Sequence, residues 1–419
     1  MKHKVNVHFL SNGIPVIFCD VAFQTCKISV NLGFGARDEK AQEYGITHFV
    51  EHLIGQSVVG EPSFDQLKKK IEVFGGNINL YTTYSKINLF VNVLPEYLPD
   101  VVKIIAPQIV TPLFNDQNIE KEKNIILDEY RRSLGNKSWL LFKQINLFKN
   151  TGLGHYILGT PEIIKSFNKT MVSDYYFSHL SNDKCNIVVV GQVKDKQNLL
   201  SELENLFGNI PYIHYEHYIQ SVQQTCEHNL KPEEKNIKLV LAFAAKISDE
   251  RKDQIAIGVF KKILQDRLRK VLRYEKGLVY TIQCATMGNI DTRLYTIETE
   301  SLPENTENII ENIATVCKNI LEQNLITAEE LQSAKNTFKY SILREMDSVD
   351  TCCEIYAQHM MYYGKLYDVD TEKQILDNLK LNDIIKIGQS LLNAPVSIVT
   401  QGPMYDFDIV SAWHKFYIN

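Results

Sequence analysis

Polar and apolar positions alternate at the start of the chain. His8-Phe9-Leu10 and Ile14-Pro15-Val16-Ile17-Phe18 flank Ser11-Asn12-Gly13, and a period of two around such a turn predicts a hairpin. A further alternating run, Lys27 to Phe34, ends among Gly33 and Gly35. The period then lengthens, predicting a helix from near Gly45 with Thr47 as an early capping hydroxyl. Phe64 to Phe74 is also helical and is stopped by Gly75-Gly76. Asn79 to Val93 returns to a strand-like interleaving. Helices follow from about Glu96 to Ile109 and about Asp116 to Leu134. After the loop Gly152-Leu153-Gly154-His155-Tyr156, another helix leads to the strand Cys185 to Gly191.

Periodicity fades over 213–236, a stretch rich in Tyr, His, Gln and Glu that ends at Lys231-Pro232-Glu233-Glu234-Lys235. The strand Ile237 to Phe243 then opens a second half in the order of the first: strand, long helix, strands, two helices, and a late strand at Val396-Ser397-Ile398-Val399. The expected organisation is a domain over 1–212, a linker over 213–236 and a second domain over 237–419, with a hint of internal duplication. A chain of 419 residues supports two cores.

Composition narrows the function classes. With 44% hydrophobic and 23% charged residues, the chain is an ordinary globular one. A net charge of -5 argues against a nucleic-acid binder, which needs a basic face. No apolar run is long enough to span a bilayer, so no membrane span is expected. The opening Met1-Lys2-His3-Lys4-Val5-Asn6-Val7 has no signal-peptide character. Eight cysteines without a C-x-x-C pair read as reduced thiols in a cytoplasmic protein.

The candidate chemistry lies in His48-Phe49-Val50-Glu51-His52. Residues i and i+4 of a helix share a face, so His48 and His52 can offer imidazole nitrogens to one metal ion. Glu51 lies beside both and can reach a metal-activated water without being a ligand. This is the inverted zinc-peptidase pattern H-x-x-E-H. A catalytic zinc usually takes three protein ligands, and a helix beginning near Ile119 offers the third. Glu129 and Glu122 lie two turns apart on it, so one can bind metal while the other hydrogen-bonds a ligand histidine. Periodicity alone does not choose among Glu122, Asp128 and Glu129.

With His48-Phe49-Val50-Glu51-His52-Leu53 and the distant Glu129, the chain resembles the pitrilysin family of zinc peptidases, which includes insulin-degrading enzyme and mitochondrial processing peptidase. The resemblance selects Glu129 as third ligand and Glu122 as the partner of a ligand histidine, with one zinc ion per chain. It extends through Leu10-Ser11-Asn12-Gly13, Gly35-Ala36-Arg37-Asp38-Glu39, Leu158-Gly159-Thr160-Pro161-Glu162 and Val190-Gly191. Gly75-Gly76-Asn77-Ile78-Asn79-Leu80-Tyr81-Thr82 resembles the edge strand that faces substrate, making Asn79, Leu80 and Tyr81 substrate-binding candidates. Leu272-Arg273-Tyr274-Glu275-Lys276-Gly277-Leu278-Val279-Tyr280 looks like the segment whose Arg273 and Tyr280 hold the substrate carbonyl. Two positions depart from the pattern: Leu80 replaces a small residue, and Gly55-Gln56-Ser57-Val58-Val59-Gly60 replaces the usual Gly-Thr.

The resemblance implies an α+β fold of two similar domains, each a mainly antiparallel sheet packed with helices on one side, paired into a chamber by dimerisation. It implies a homodimer, or a heterodimer with a related subunit, in which Arg273 and Tyr280 of one copy serve the zinc of the other. The implied activity is zinc-dependent hydrolysis of short or unfolded peptides, or of leader segments, with Glu51 as general base. A non-catalytic partner or scaffold subunit of the same family is the alternative, and a zinc-storage protein a third reading that leaves Glu51 without a role.

Overall fold

The computed structural model describes residues 4–56, 63–214, 222–248, 250–289, 292–321 and 326–417. Ser57–Gly60 of the atypical segment and 215–221 of the expected linker lie outside them.

The strands of the first half are β1 (Lys4–Phe9), β2 (Pro15–Asp20), β3 (Cys26–Leu32), β4 (Asn77–Thr82), β5 (Ile87–Val93) and β6 (Asn186–Val190). They form one sheet in the order β1-β2-β6-β3-β5-β4, in which only β2 and β6 run parallel. The strand-like run from Asn79 to Val93 is a hairpin and not a single strand. Polar Thr83-Tyr84-Ser85 supplies its turn, closed by Thr83 N–H donating to Lys86 O at 2.9 Å.

The second half contributes β7 (Cys226–Leu230), β8 (Ile237–Phe243), β9 (Ile282–Asn289), β10 (Thr292–Ser301) and β11 (Val396–Gly402). Their order is β7-β11-β8-β10-β9, with β7 parallel to β11 and the other pairs antiparallel. In chain order, spatial order and direction this repeats β2-β6-β3-β5-β4. The fold is therefore α+β with two similar sheets, and the duplicated order read from the sequence is a duplicated topology.

The helices are α1 (Ile46–Ile54), α2 (Phe64–Glu72), α3 (Leu98–Val110), α4 (Asp116–Leu147), α5 (Pro161–Ser166), α6 (Lys169–His179) and α7 (Lys196–Phe207), then α8 (Arg251–Leu268), α9 (Thr306–Ile320), α10 (Ala328–Glu345), α11 (Val349–Tyr363), α12 (Val369–Asn378), α13 (Leu381–Leu392) and α14 (Ile409–Tyr417). No described helix is long and apolar enough to cross a membrane. α4 continues well beyond the expected end at Leu134. A lone helical glycine such as Gly135 costs only about 1 kcal/mol, and the extension ends on fully buried Leu147.

The chain divides into two compact units that do not follow sequence order. One comprises Met1–Lys137, His155–Tyr218 and Glu345–Tyr367; the other comprises Ser138–Gly154, Ile219–Arg344 and Asp368–Asn419. Each holds its own apolar core. In the first unit, Ile28, Val30 and Leu32 of β3 face that core together with Ile46, Phe49 and Val50 of α1. Lys27, Ser29 and Asn31 alternate to the other face and are also buried. The cover there is α11, whose Ala357 carbonyl accepts from Asn186 Nδ2 at 3.1 Å. This unit thus carries helices on both faces of its sheet, one more layer than expected.

Candidate metal centre

α1 begins without the expected cap. Its first flanking residue is Gly45 at φ 98°, a left-handed conformation glycine tolerates, and Thr47 Oγ1 instead pairs with Tyr175 Oη at 2.6 Å. The helix N-terminus is held by Glu39 from the preceding loop. Its carboxylate accepts from Gly45 N–H and Thr47 N–H, both at 2.8 Å, and lies 3.1 Å from His155 Nε2. Burial pushes the Glu39 carboxyl above its usual value, while His155 and the bonds from Gly45 and Thr47 at the helix N-terminus favour its charged form. His155 is fixed in turn by stacking on Tyr44 with ring centroids 3.8 Å apart.

This anchor sets the face that α1 presents. His48 Nε2 and His52 Nε2 lie 3.8 and 3.6 Å from Glu129 Oε2, and ligand atoms of the three residues all fall within 4.8 Å of one another. These gaps are too long for good hydrogen bonds. Donors around a tetrahedral zinc stand about 3.3 Å apart, given bond lengths near 2.0–2.2 Å. The two His–Glu129 separations therefore lie within about 0.5 Å of the spacing zinc requires. Glu51 Oε2 stands 3.8 Å from His48 Nε2 and accepts from Thr82 Oγ1 at 3.4 Å.

Glu122 serves α1 from behind. Its Oε2 lies 2.9 Å from His52 Nδ1, which makes Nδ1 the donor and turns Nε2 to the centre, where a cation would replace the Nε2 proton. Its Oε1 accepts from Gln56 Nε2 at 2.6 Å, and the Gln56 carbonyl accepts from Asn118 Nδ2 at 3.0 Å. Gln56, one of the atypical positions, is thereby a clamp on Glu122. Asp128, the third acid that periodicity left open, points elsewhere and pairs with Arg131 at 2.5 Å.

Electrostatics separate the roles. Burial, with the charge of His52, pushes His48 down to about 3, so its imidazole stays neutral. Burial pushes Glu51 up to about 7, in the range suited to moving a proton near neutrality. Burial works against a charge on His52, but Glu122, Glu129 and Glu51 outweigh it and carry the ring to about 10. The polar approach of His52, with the electrostatic pull of His48 and His52, holds Glu129 below its usual value, so its carboxylate is available to a cation.

A cleft of about 310 Å³ adjoins the centre, lined by Glu51, His52, Phe64, Asn79, Leu80 and Ile125 among others. β4 is the outermost strand of its sheet. Since Thr83 bonds Lys86, alternation of the ladder turns the backbone groups of Ile78, Leu80 and Thr82 to the open side. There the Leu80 N–H donates to Asn79 Oδ1 at 3.0 Å. Tyr81 points to the opposite face, its hydroxyl on Glu354 Oε2 at 2.9 Å.

Arg273 and Tyr280 belong to the other compact unit. Arg273 sits in a π-helical stretch, Arg269–Glu275, a form that recurs at functional sites. Its guanidinium lies 4.9 Å from the Tyr280 ring centroid, and Tyr280 is 80% exposed. The structure therefore brings these two together, as it does His48, Glu51, His52, Glu122 and Glu129.

Residues 20–160 match the family model described as insulinase (peptidase family M16), and residues 166–338 match the model described as peptidase M16 inactive domain. The chain belongs to the M16 peptidase family. Among M16 relatives, an uncharacterized zinc protease of Rickettsia felis is 24% identical over 96% of this chain and 98% of its own length. The beta subunit of bovine mitochondrial-processing peptidase is 23% identical over 86% of this chain and 76% of its own. In fold, a Helicobacter pylori protease of known structure superposes with a TM-score of 0.83 at 17% identity, covering 96% of this chain and all of that one.

Sequence reasoning missed Glu39, His155, Thr82 and Glu354. His155, Thr82 and Glu354 act across long sequence separations, whereas Glu39 reaches the nearby Gly45 and Thr47. The one local signal was an acid shortly before a helix start that has glycine where a capping side chain belongs.

Proposed function

We propose that this M16 protein is a zinc-dependent endopeptidase acting on short or unfolded peptides. The observation carrying this reading is the convergence of His48, His52 and Glu129 donor atoms within 4.8 Å, beside a half-buried Glu51. His48 Nε2, His52 Nε2 and Glu129 Oε2 would hold one zinc ion. Bound there, a zinc ion would supply Lewis acidity to a scissile carbonyl and to an attacking water. Glu51, next to these donors, would take a proton from the attacking water and pass it to the leaving amine. Glu122 keeps the His52 ring oriented. The substrate adds as a strand along β4, using the open backbone groups of Leu80 and its neighbours, with Asn79 yielding its bond to the Leu80 N–H. Leu80, larger than the family pattern, walls the cleft and favours small or slender side chains there.

Arg273 and Tyr280 would grip a substrate carbonyl, each such donor contributing about 3 kcal/mol to the transition state. The name of the bovine relative, a beta subunit, supports a dimeric assembly in which they serve the metal centre of a second copy or a related subunit. None of the eight cysteines is in a disulfide in the described residues. The second reading is a non-catalytic partner subunit; the match of 166–338 to an inactive-domain model bears on it. Glu51→Gln separates the two. The peptidase reading expects zinc retained at one per chain and cleavage reduced roughly a thousandfold. Stoichiometric zinc with no cleavage of a broad peptide library by the unaltered protein would establish the partner role.

A further inference from the structure

The sheet face turned away from α1 carries a connected layer of polar side chains, buried on the sheet at Ser29, Asn31, Lys86, Asn88 and Asn186 and reaching partly exposed acids on α11. Lys86, 3% exposed, donates to both carboxylate oxygens of Glu354 at 2.8 Å and to Asn31 Oδ1 at 3.1 Å. Tyr81 Oη donates to Glu354 Oε2 at 2.9 Å. Asn88 Nδ2 donates to Ser29 Oγ at 2.7 Å and Asn31 Oδ1 at 2.8 Å, and Asn31 Nδ2 donates to Asn186 Oδ1 at 3.1 Å. Asp350, a turn before Glu354 on α11, takes Lys27 at 2.5 Å. One helix from the second half of the chain is thus bonded to β3, β4, β6 and the turn that begins β5.

Such a layer is a poor way to gain stability. Apolar packing of the same volume serves a sheet face at least as well, whereas an ion pair between buried Lys86 and half-buried Glu354 specifies one arrangement. What it specifies here is the edge. β4 has a strand partner on one side only, and a strand held by a single ladder is prone to local opening. Leu80 and Thr82 face the metal-centre side, Thr82 bonding Glu51, while Tyr81 between them is the tether to the far side. Lys86 pins the other end of the same hairpin turn to the same carboxylate.

We infer that Glu354 is a positioning residue for the peptide-binding edge: by joining Tyr81 and Lys86 to α11, it fixes β4 at the height where an added peptide meets Glu51 and the metal ligands. The inference rests on the peptidase reading for its substrate, and on geometry alone for the tether. Burial opposes the charge of Glu354, yet Lys86 and Tyr81 together hold its carboxyl below the usual range, so the tether is ionic near neutrality.

The test uses the full-length, zinc-loaded chain carrying Glu51→Gln, so that peptide binds without being cut. Glu354→Gln and, separately, Tyr81→Phe are added. Three quantities are read: zinc content, the dissociation constant of a dye-labelled unfolded β-casein peptide, and amide hydrogen exchange over residues 77–82. Each variant is expected to weaken peptide binding roughly three- to tenfold, to speed exchange in 77–82 relative to β3, and to leave zinc content unchanged. Tyr81→Phe removes one hydroxyl and keeps the Lys86–Glu354 pair, so it carries the test even where Glu354→Gln unfolds. Unchanged binding and exchange with zinc retained overturn the tether and leave the peptidase reading intact. Faster exchange in 77–82, with no peptide cleaved by the chain that keeps Glu51, overturns the peptidase reading and leaves the tether standing.

Discussion

Glu122 and Glu129 lie two turns apart on one helix, yet their partners differ. Glu129 faces the Nε2 atoms of His48 and His52, whereas Glu122 is 1% exposed and bonded to His52 Nδ1 and Gln56. Glu129→Gln is therefore expected to abolish stoichiometric zinc binding. Glu122→Gln, which loosens the orientation of a ligand ring, is expected to weaken it about ten- to a hundredfold. Competition of each variant with a chromogenic chelator reads the difference, and equal losses would show that the two roles are misassigned. The pair His48 and His52 with Glu51 was legible because helical spacing is a local rule. The choice of Glu129 over Glu122 and Asp128 needed the resemblance, since all three are acids on one helix. Glu39 was not legible as a helix anchor, because what makes it one is its approach to Gly45 and Thr47 and its ring partner at His155.

Among elements, α1 and β4 define the centre, and both are held from outside themselves. α1 is short, opens on a left-handed glycine and depends on Glu39; β4 is an edge strand and is tied through Tyr81 to Glu354. The tether carries a pH signature. Since the Glu354 carboxyl is held below its ordinary value, its stabilising contribution is complete above that ordinary value of 4.5 and is lost as pH falls through the lower folded-state value. Glu354→Gln should lower resistance to urea at neutral pH, and the gap from the parent protein should close progressively below about pH 4.5. A gap that stays constant into acid would contradict an ionised Glu354. Strand and helix types followed from periodicity, but Asn79–Val93 hid its turn because Thr83-Tyr84-Ser85 lacks the Gly or Asn that usually marks one. α4 outran its expected end because its continuation beyond Gly135 is decided by burial of Leu147, a tertiary fact.

At the scale of the molecule, one sheet topology occurs twice, which strand order along the sequence already hinted. What sequence order hid is that Val349–Tyr363 belongs to the compact unit bearing the metal centre and Ser138–Gly154 to the other. Nothing in a linear pattern marks which sheet a helix covers. The proposed assembly supplies its own test: Glu51→Gln and Arg273→Ala chains, each inactive alone, should regain partial activity when mixed under conditions of demonstrated subunit exchange. No recovery would place Arg273 outside the site of a partner. The proposed chemistry needs zinc held by His48, His52 and Glu129, with Glu51 as the base. Its most direct measurement is mass-spectrometric mapping of cuts in a peptide mixture, with the purified protein as isolated, after a chelator, and after zinc is returned. The expected result is a set of internal cuts that vanishes with chelator and reappears with zinc. The same cuts persisting in protein shown to be zinc-free would contradict it.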